Sequence, residues 1–360
     1  ERLVHGLAAR GHAVRLIRPR QHAGDGNSGE IETLLVPGLP LPGYRGLRLG
    51  LPSATRIRRL WREQRPDVIY VATEGPLGWS AVRAAERAQI PAVSGFHTHF
   101  PQYAHHYGLT LLRRPLHHYL CRLHNRTRCT LVPTAELRDE LAGDLRDLEV
   151  LGRGVDCDAF SPARRSESLR HRWQAGAEDR VVLYVGRLAA EKNLPLALET
   201  FRAMRGVDPR LRFVVVGDGP LYASLPRHED GVLLTGALPR DALLEHYASA
   251  DLFLFPSESE TFGNVTLEAM ASGLGVVAFD YAAARLLIRD GENGLLAPRG
   301  DYAAFTHAAI RLAQDRAALG KMRTAARRTA QAHDWHTILD RFETIMQRCA
   351  VEAPRPALSV

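Results

Sequence analysis

Short apolar runs alternate with helix-period stretches along almost the whole chain. In the first part, Ala13–Ile17, Ile31–Val36, Asp67–Val71, Pro91–Gly95, Cys129–Pro133 and Glu149–Leu151 have the length and residue types of strands. Ser53–Gln64, Pro76–Gln89 and the basic, aromatic stretch Tyr103–Arg128 read as helices between them. Gly152–Pro162 breaks the alternation, which then restarts with strands at Val181–Val185, Leu211–Val216, Val232–Thr235, Leu252–Phe255 and Val276–Phe279. Helices are expected at Leu194–Arg205, Arg240–Ser249, Val265–Ser272, Asp301–Gln314, Ala317–Ala332 and His336–Cys349.

Strands alternating with helices predict parallel, doubly wound sheets. The expected fold class is therefore α/β, with two Rossmann-like domains and a cleft between them. The pattern divides into a first domain over 1–153, a linker over 154–163 and a second domain over 164–334. A helix over 335–350, able to cross back to the first domain, and a Pro-containing tail over 351–360 follow. Glu1–Arg10 reads as the later part of a helix (Leu3, Val4, Leu7, Ala8) closed by Gly11. An α/β sheet rarely opens on half a helix, so a first strand and its Gly-containing turn are expected upstream.

Composition narrows the class. The chain of 360 residues has 45% hydrophobic and 24% charged residues, a globular profile with room for two domains. Cys121, Cys129, Cys157 and Cys349 form no CxxC pair, so neither a metal nor a disulfide framework is expected, and a reducing cytoplasm is the natural compartment. No run of about 18 apolar residues is present, so no spanning helix is expected. Residues 1–172 hold 26 Arg against 17 acidic residues, whereas the remainder holds 21 basic against 23 acidic. Such a basic half suits nucleic acid, an anionic membrane or a phosphorylated acceptor. With no RNP-like aromatic motif and no zinc-finger spacing, nucleic acid is not expected as a partner. The stripe Tyr103, Tyr107, Leu111, Leu112, Leu116 and Tyr119 either lies on a membrane interface or packs on its own sheet.

The densest candidate chemistry lies between the strand Leu252–Phe255 and the helix from Val265. The polar turn there contains Gly263, which lets backbone approach a ligand closely. Its amides, at the positive end of a helix dipole, face the carboxyl edge of a sheet, where phosphates bind in open α/β folds. Glu260 stands at the mouth of this turn and Glu268 two helical turns further in. On an apolar helix Glu268 needs a partner, and a ribose diol would serve; a helix cap for Glu260 and a salt bridge for Glu268 are the plain alternatives. At the end of Val181–Val185, Gly186-Arg187 and then Lys192 bring two cations suited to a diphosphate, in a chain with 45 Arg and only two Lys. Val214-Val-Val-Gly-Asp-Gly-Pro220 resembles a dinucleotide fingerprint but has Tyr222 at the third glycine, which argues against NAD while leaving Gly217 as a close-approach turn. His97, at the end of Pro91–Gly95, and Glu74, in Glu74-Gly-Pro-Leu-Gly78, are both placed to enter the cleft.

Together these residues resemble the GT-B retaining glycosyltransferases of family 4. The signature is Glu260-x7-Glu268 with Thr261-Phe-Gly-Asn-Val265 inside it. Gly186-Arg187, Glu191-Lys192, Gly217-Asp-Gly-Pro220, Asp290-Gly-Glu-Asn-Gly-Leu-Leu-Ala-Pro298 and the linker Gly154-Val-Asp with Phe160-Ser-Pro162 agree with it. Thr73–Gly78 and Gly95–Leu109 are similar to the GDP-mannose-dependent α-mannosyltransferases, and the same elements recur in bacterial enzymes that glycosylate diacylglycerol-type lipids.

The resemblance implies a hexosyl, and here a mannosyl, transfer from a nucleotide-diphosphate sugar to a lipid or glycan acceptor, with no metal and no cofactor. It implies that Arg187 and Lys192 hold the diphosphate, that Glu268 holds the ribose, and that Glu260 with Phe262, Gly263, Asn264 and Val265 holds the donor sugar. Gly186 and Gly217 complete the donor side, and Glu74, His97 and Tyr103 the acceptor side. It implies a cytoplasmic protein, peripheral on the inner face of the membrane. Family members begin with a strand and a Gly-Gly loop, so donor binding is expected to need those upstream residues. The competing readings are a UDP-sugar-dependent lipid glycosyltransferase, a shortened non-catalytic binding protein and, disfavoured by the failed fingerprint, an NAD-dependent oxidoreductase.

Overall fold

The computed structural model describes residues 2–22, 24–26, 31–40, 48–96, 113–225 and 229–351. The chain divides into two compact units, one of Glu1–Gly152 with His336–Val360 and the other of Arg153–Trp335.

In the second unit, β9 (Val181–Val185), β10 (Arg212–Val216), β11 (Val232–Gly236), β12 (Leu252–Phe255), β13 (Gly275–Phe279) and β14 (Leu295–Ala297) form one parallel sheet. Their order is β11-β10-β9-β12-β13-β14. Counted from the first strand of the unit this is 3-2-1-4-5-6, so the chain reverses direction across the sheet between β9 and β12. Alternate residues of Val181–Val185 feed two cores, Val181, Leu183 and Val185 on one face and Val182 and Tyr184 on the other. Burial on both faces is why this strand reads as a continuous apolar run. Residues from the helices Arg240–Ser249 and Asn264–Ala271 join the first core, and those from Leu194–Val207 and Tyr302–Gln314 the second. Val155, Cys157 and Phe160, from the segment expected as a linker, are buried in the first core.

At the amino end of β12, Asp251 is buried. Its Oδ1 accepts from Arg165 (3.2 Å) and Arg323 (3.1 Å), and its Oδ2 from Arg170 (3.1 Å) and the Val181 amide (2.9 Å). Arg170 is fully buried and also donates to the carbonyls of Ser249, Gly176 and Asp179.

In the first unit, β5 (Ile69–Val71), β6 (Ala92–Gly95), β7 (Cys129–Val132) and β8 (Leu148–Val150) form a parallel sheet in that order. β1 (Arg15–Pro19) pairs in parallel with β2 (Glu32–Val36). The helices Ala54–Glu63 and Pro76–Ala88 bury Ile57, Trp61, Ala84 and Ala85 in one core. Val93, Cys129, Leu131 and Leu151 meet Phe342, Ile345 and Cys349 of the last helix, Trp335–Val351, in another. Glu343 of that helix accepts from Arg10 (2.7 Å) and pairs with His12 (2.7 Å).

Several elements differ from the sequence reading. The Pro/Gly-rich stretch after Val36 contains the short antiparallel strands β3 (Gly38–Pro40) and β4 (Arg48–Gly50). β14 and the helices Ala135–Leu141, Glu167–Arg172 and Ala282–Leu287 were not expected. Elements this short carry too few residues for a period to emerge.

Candidate functional site

The loops that leave β9 and β12 meet where the strand order reverses. After β9 the chain runs through Gly186 and Arg187 into the short 3-10 turn Ala190–Lys192, then through Asn193 in the left-handed region (φ 49°) into the helix Leu194–Val207. After β12 it runs through Ser257, Glu258 and Glu260 to Gly263, which caps the helix Asn264–Ala271. Gly263 has φ 92°, a conformation open to glycine and strained for other residues. A Cβ on it would lie 3.4 Å from Glu260 Cγ.

Several bonds stitch the loops together. The Lys192 ammonium donates to the Glu260 carboxylate and to the Ser259 carbonyl (3.2 Å). The Glu258 amide donates to the Glu191 carbonyl (3.0 Å), and the Asn193 side chain donates to the Glu258 carboxylate (3.2 Å). Glu260 also accepts from the Ser257 hydroxyl (2.8 Å), and both of these side-chain bonds fall on Oε1. Lys192 and Glu260 keep 12% and 15% of their side-chain surface exposed, enough for a ligand to reach them. The Glu260 carbonyl accepts from the Tyr281 hydroxyl (2.9 Å) and the Phe262 carbonyl from the Ala283 amide (2.7 Å), which ties the loop to the segment after β13. Burial, with the charges of Glu260 and Glu191, holds the Tyr184 hydroxyl far above the usual phenol range, so it stays neutral beside them.

Glu268 is partly buried, and its Oε2 accepts from the fully buried Tyr247 hydroxyl (3.0 Å). Burial raises the Glu268 carboxyl above its ordinary range, opposed by that hydrogen bond and by the charge of Arg240. The neighbour is thus a neutral phenol, which leaves the carboxylate able to accept from a further donor. Among the described contacts no side chain caps the helix at Gly263, so Glu260 is not its cap.

The glycine turn after β10 packs closely on the loop after β9. A Cβ on Gly217 (φ 144°) would lie 1.9 Å from the Gly186 carbonyl oxygen, and one on Gly219 2.5 Å from that of Leu188. The Leu188 amide donates to the Asp218 carbonyl (3.0 Å), so this turn braces the loop that carries Arg187. Arg187 is partly buried there.

On the first unit, Glu74 is 5% exposed at the end of β5. Its Oε1 lies 3.8 Å from His124 Nε2, and its carbonyl accepts from the Tyr119 hydroxyl (2.6 Å). His124 Nδ1 bonds Ser94 Oγ (2.8 Å), which in turn bonds Thr127 (2.8 Å) and Thr130 (3.2 Å). Of these partners only Tyr119 was singled out from the sequence, as part of the aromatic stripe; polar Ser94 and Thr130 inside apolar strands were the available signal for the rest. His97 and Tyr103 lie outside the described residues. Ser257, Tyr247 and Tyr281 were also missed, and only Ser257, inside the quoted turn, was within reach of a local reading. Among the described residues no helix is long and apolar enough to cross a membrane.

Residues 1–159 match the family described as Glycosyltransferase Family 4, and residues 179–315 match Glycosyl transferases group 1. The chain is 32% identical to the GDP-mannose-dependent alpha-mannosyltransferase of Mycobacterium tuberculosis over 98% of its own length and 93% of that protein's. It is also 32% identical to the sulfoquinovosyl transferase SQD2 of Arabidopsis thaliana over 87% of this chain, but spans only 62% of that protein. A sucrose-phosphate synthase structure from Thermosynechococcus elongatus superposes with a TM-score of 0.77 at 18% identity, covering 96% of this chain and 91% of that one. Two Rossmann-like units, a site at the reversal of strand order and this extent of identity place the chain in glycosyltransferase family 4, with the GT-B fold.

Proposed function

We propose that the protein transfers a mannosyl group from GDP-mannose to a lipid or glycan acceptor with retention at the anomeric carbon. The observation that carries this reading is the Lys192–Glu260 pair, which joins the loops after β9 and β12 beside the helix that starts at Gly263. A single ammonium is there compensated by a single carboxylate, at a sheet edge where phosphates bind in open α/β folds. An arriving diphosphate takes Glu260's place on Lys192, with Arg187 and the amides after Gly263 as further donors. The released Glu260 carboxylate then accepts from hydroxyls of the donor sugar, held with the backbone of Phe262, Asn264 and Val265. Glu268 accepts from the ribose, its second neighbour being the Tyr247 hydroxyl. Gly186 keeps the loop close to the phosphates, and Gly217 supports it from behind.

In the transfer step the bond from the anomeric carbon to the diphosphate oxygen breaks. The acceptor oxygen bonds the same carbon on the same face, and its proton passes to the departing phosphate oxygen. Negative charge grows on the diphosphate, and cations with a helix N-terminus fixed beforehand stabilise it. No carboxylate nucleophile is required, unlike the retaining glycosidases. Glu74, His97 and Tyr103 serve the acceptor side. The excess of arginine in residues 1–172 supports an acceptor presented at an anionic membrane surface, with the protein peripheral on the cytoplasmic face.

The test is labelled-sugar transfer from GDP-mannose, UDP-glucose and UDP-glucuronate to membrane lipid extract and to oligosaccharides. Label is expected from GDP-mannose, and not from a folded Glu260→Ala variant. Transfer from a UDP-sugar alone would overturn the mannosyl assignment, and equal transfer by Glu260→Ala would overturn the role of the pair.

A further inference from the structure

We propose that His117, Cys121 and Asp144, on the first unit, form a binding site for a divalent metal ion of the zinc type. His117 and Cys121 stand four residues apart on the helix Arg113–His124 and so share a face. Asp144 comes to them from the turn after the helix Ala135–Leu141. The three ligand atoms lie within 4.8 Å of one another. His117 Nε2 is 3.3 Å from Asp144 Oδ2 and 3.5 Å from Cys121 Sγ. Tetrahedral zinc with ordinary bond lengths sets nitrogen and oxygen about 3.3 Å apart, and nitrogen and sulfur about 3.6 Å apart. The two separations are close to those a shared ion requires.

The third ligand is held independently of the other two. Asn125, four residues beyond Cys121, donates from Nδ2 to the Asp144 carbonyl (2.9 Å) and accepts the Arg146 amide on Oδ1 (2.9 Å). The turn that carries Asp144 is therefore fastened to the residue just past the same helix, at a point outside the ligand set. The chemistry is balanced as well. A thiolate and a carboxylate carry two negative charges against two positive ones, and thiolate with imidazole favours zinc over magnesium or calcium. His117 and Asp144 keep 40% and 49% of their side-chain surface exposed, so an ion can enter, and three protein ligands leave a fourth position open. Cys121 is a free cysteine, and its thiol proton would be released on binding, so affinity should rise with pH. Cysteines counted by themselves do not reveal this set, because only one ligand is a cysteine.

Two other residues of this helix, Tyr119 and His124, reach Glu74. A bound ion would thus clamp the helix that frames Glu74 to the turn at Asp144.

The test is a cobalt titration of the untagged, metal-stripped full chain, with zinc as competitor. The expected result is a thiolate-to-cobalt charge-transfer band and tetrahedral visible bands that saturate at one equivalent and vanish when zinc is added. Cys121→Ser should abolish the charge-transfer band, and Asp144→Asn should weaken cobalt binding by about tenfold or more. Zinc should raise the melting temperature of the wild type and not that of His117→Ala. A wild-type chain that shows no band at one equivalent, or a Cys121→Ser variant that titrates like the wild type, overturns the site. Equal zinc stabilisation of wild type and His117→Ala overturns it too.

Discussion

Strand β12 carries a buried or half-buried carboxylate beyond each of its ends, and the two are treated in opposite ways. Asp251, at the amino end, is 4% exposed and accepts from three guanidiniums and a backbone amide, two bonds on each oxygen. Nothing about it is left to exchange. Glu260, beyond the carboxyl end, receives its ammonium and its hydroxyl on a single oxygen. The cations differ too. A guanidinium is a planar fork that locks geometry through several bonds, whereas an ammonium is a compact point charge on a flexible stem. In a chain with 45 Arg and two Lys, arginines surround Asp251 and a lysine faces Glu260. The two carboxylates thus differ in spare hydrogen-bonding capacity more than in burial.

That contrast can be broken at either end. The largest expected effect is at Asp251. Asp251→Asn removes the carboxylate that Arg165, Arg170 and Arg323 share, leaving Glu167 as the counter-charge of the first two and Arg323 without one, and should cost about 3–5 kcal/mol of stability, read by chemical denaturation. A loss below about 1 kcal/mol would show that the neighbouring carbonyls suffice. Next comes Lys192→Ala, which should reduce sugar transfer by about 10²–10³-fold, as expected for removing one donor to a developing anion, while the denaturation midpoint stays near wild type. A collapse of stability instead would make Lys192 a structural cation like the arginines at the other end.

The smallest effect concerns Glu268. Its folded carboxyl holds the proton to a higher pH than the unfolded one, because burial disfavours the charge. Wild-type stability should thus fall as pH rises from the ordinary carboxylate value of 4.5 through the raised one, with a slope of at most about 1.4 kcal/mol per pH unit. Glu268→Gln should remove that component, seen as a flatter stability profile between weakly acidic and neutral pH. An unchanged profile would assign the slope to other groups.

The parts of this fold that were legible are those buried on both sides. Val181–Val185 and Leu252–Phe255 have no polar face, so their composition alone reveals them. Leu295–Ala297, three residues between an Asn-Gly pair and a proline, carries no such signal and was passed over. At the site, the glycine turn and both glutamates could be read because their spacing is local. Their partners could not. Tyr247 reaches Glu268 from another helix and Tyr281 reaches the Glu260 carbonyl from beyond β13, contacts that only tertiary packing creates. At Gly217 the sequence showed the turn but not its packing, the volume a side chain would need being taken by the Gly186 carbonyl.

The first unit is discontinuous in sequence, since Phe342, Ile345 and Cys349 complete a core begun by Val93 and Leu131. On the ribosome, residues 153–335 emerge whole before the segment that seals the unit begun first. Domains usually finish folding in the order of synthesis; here the earlier unit keeps an uncovered apolar sheet face until the helix Trp335–Val351 arrives.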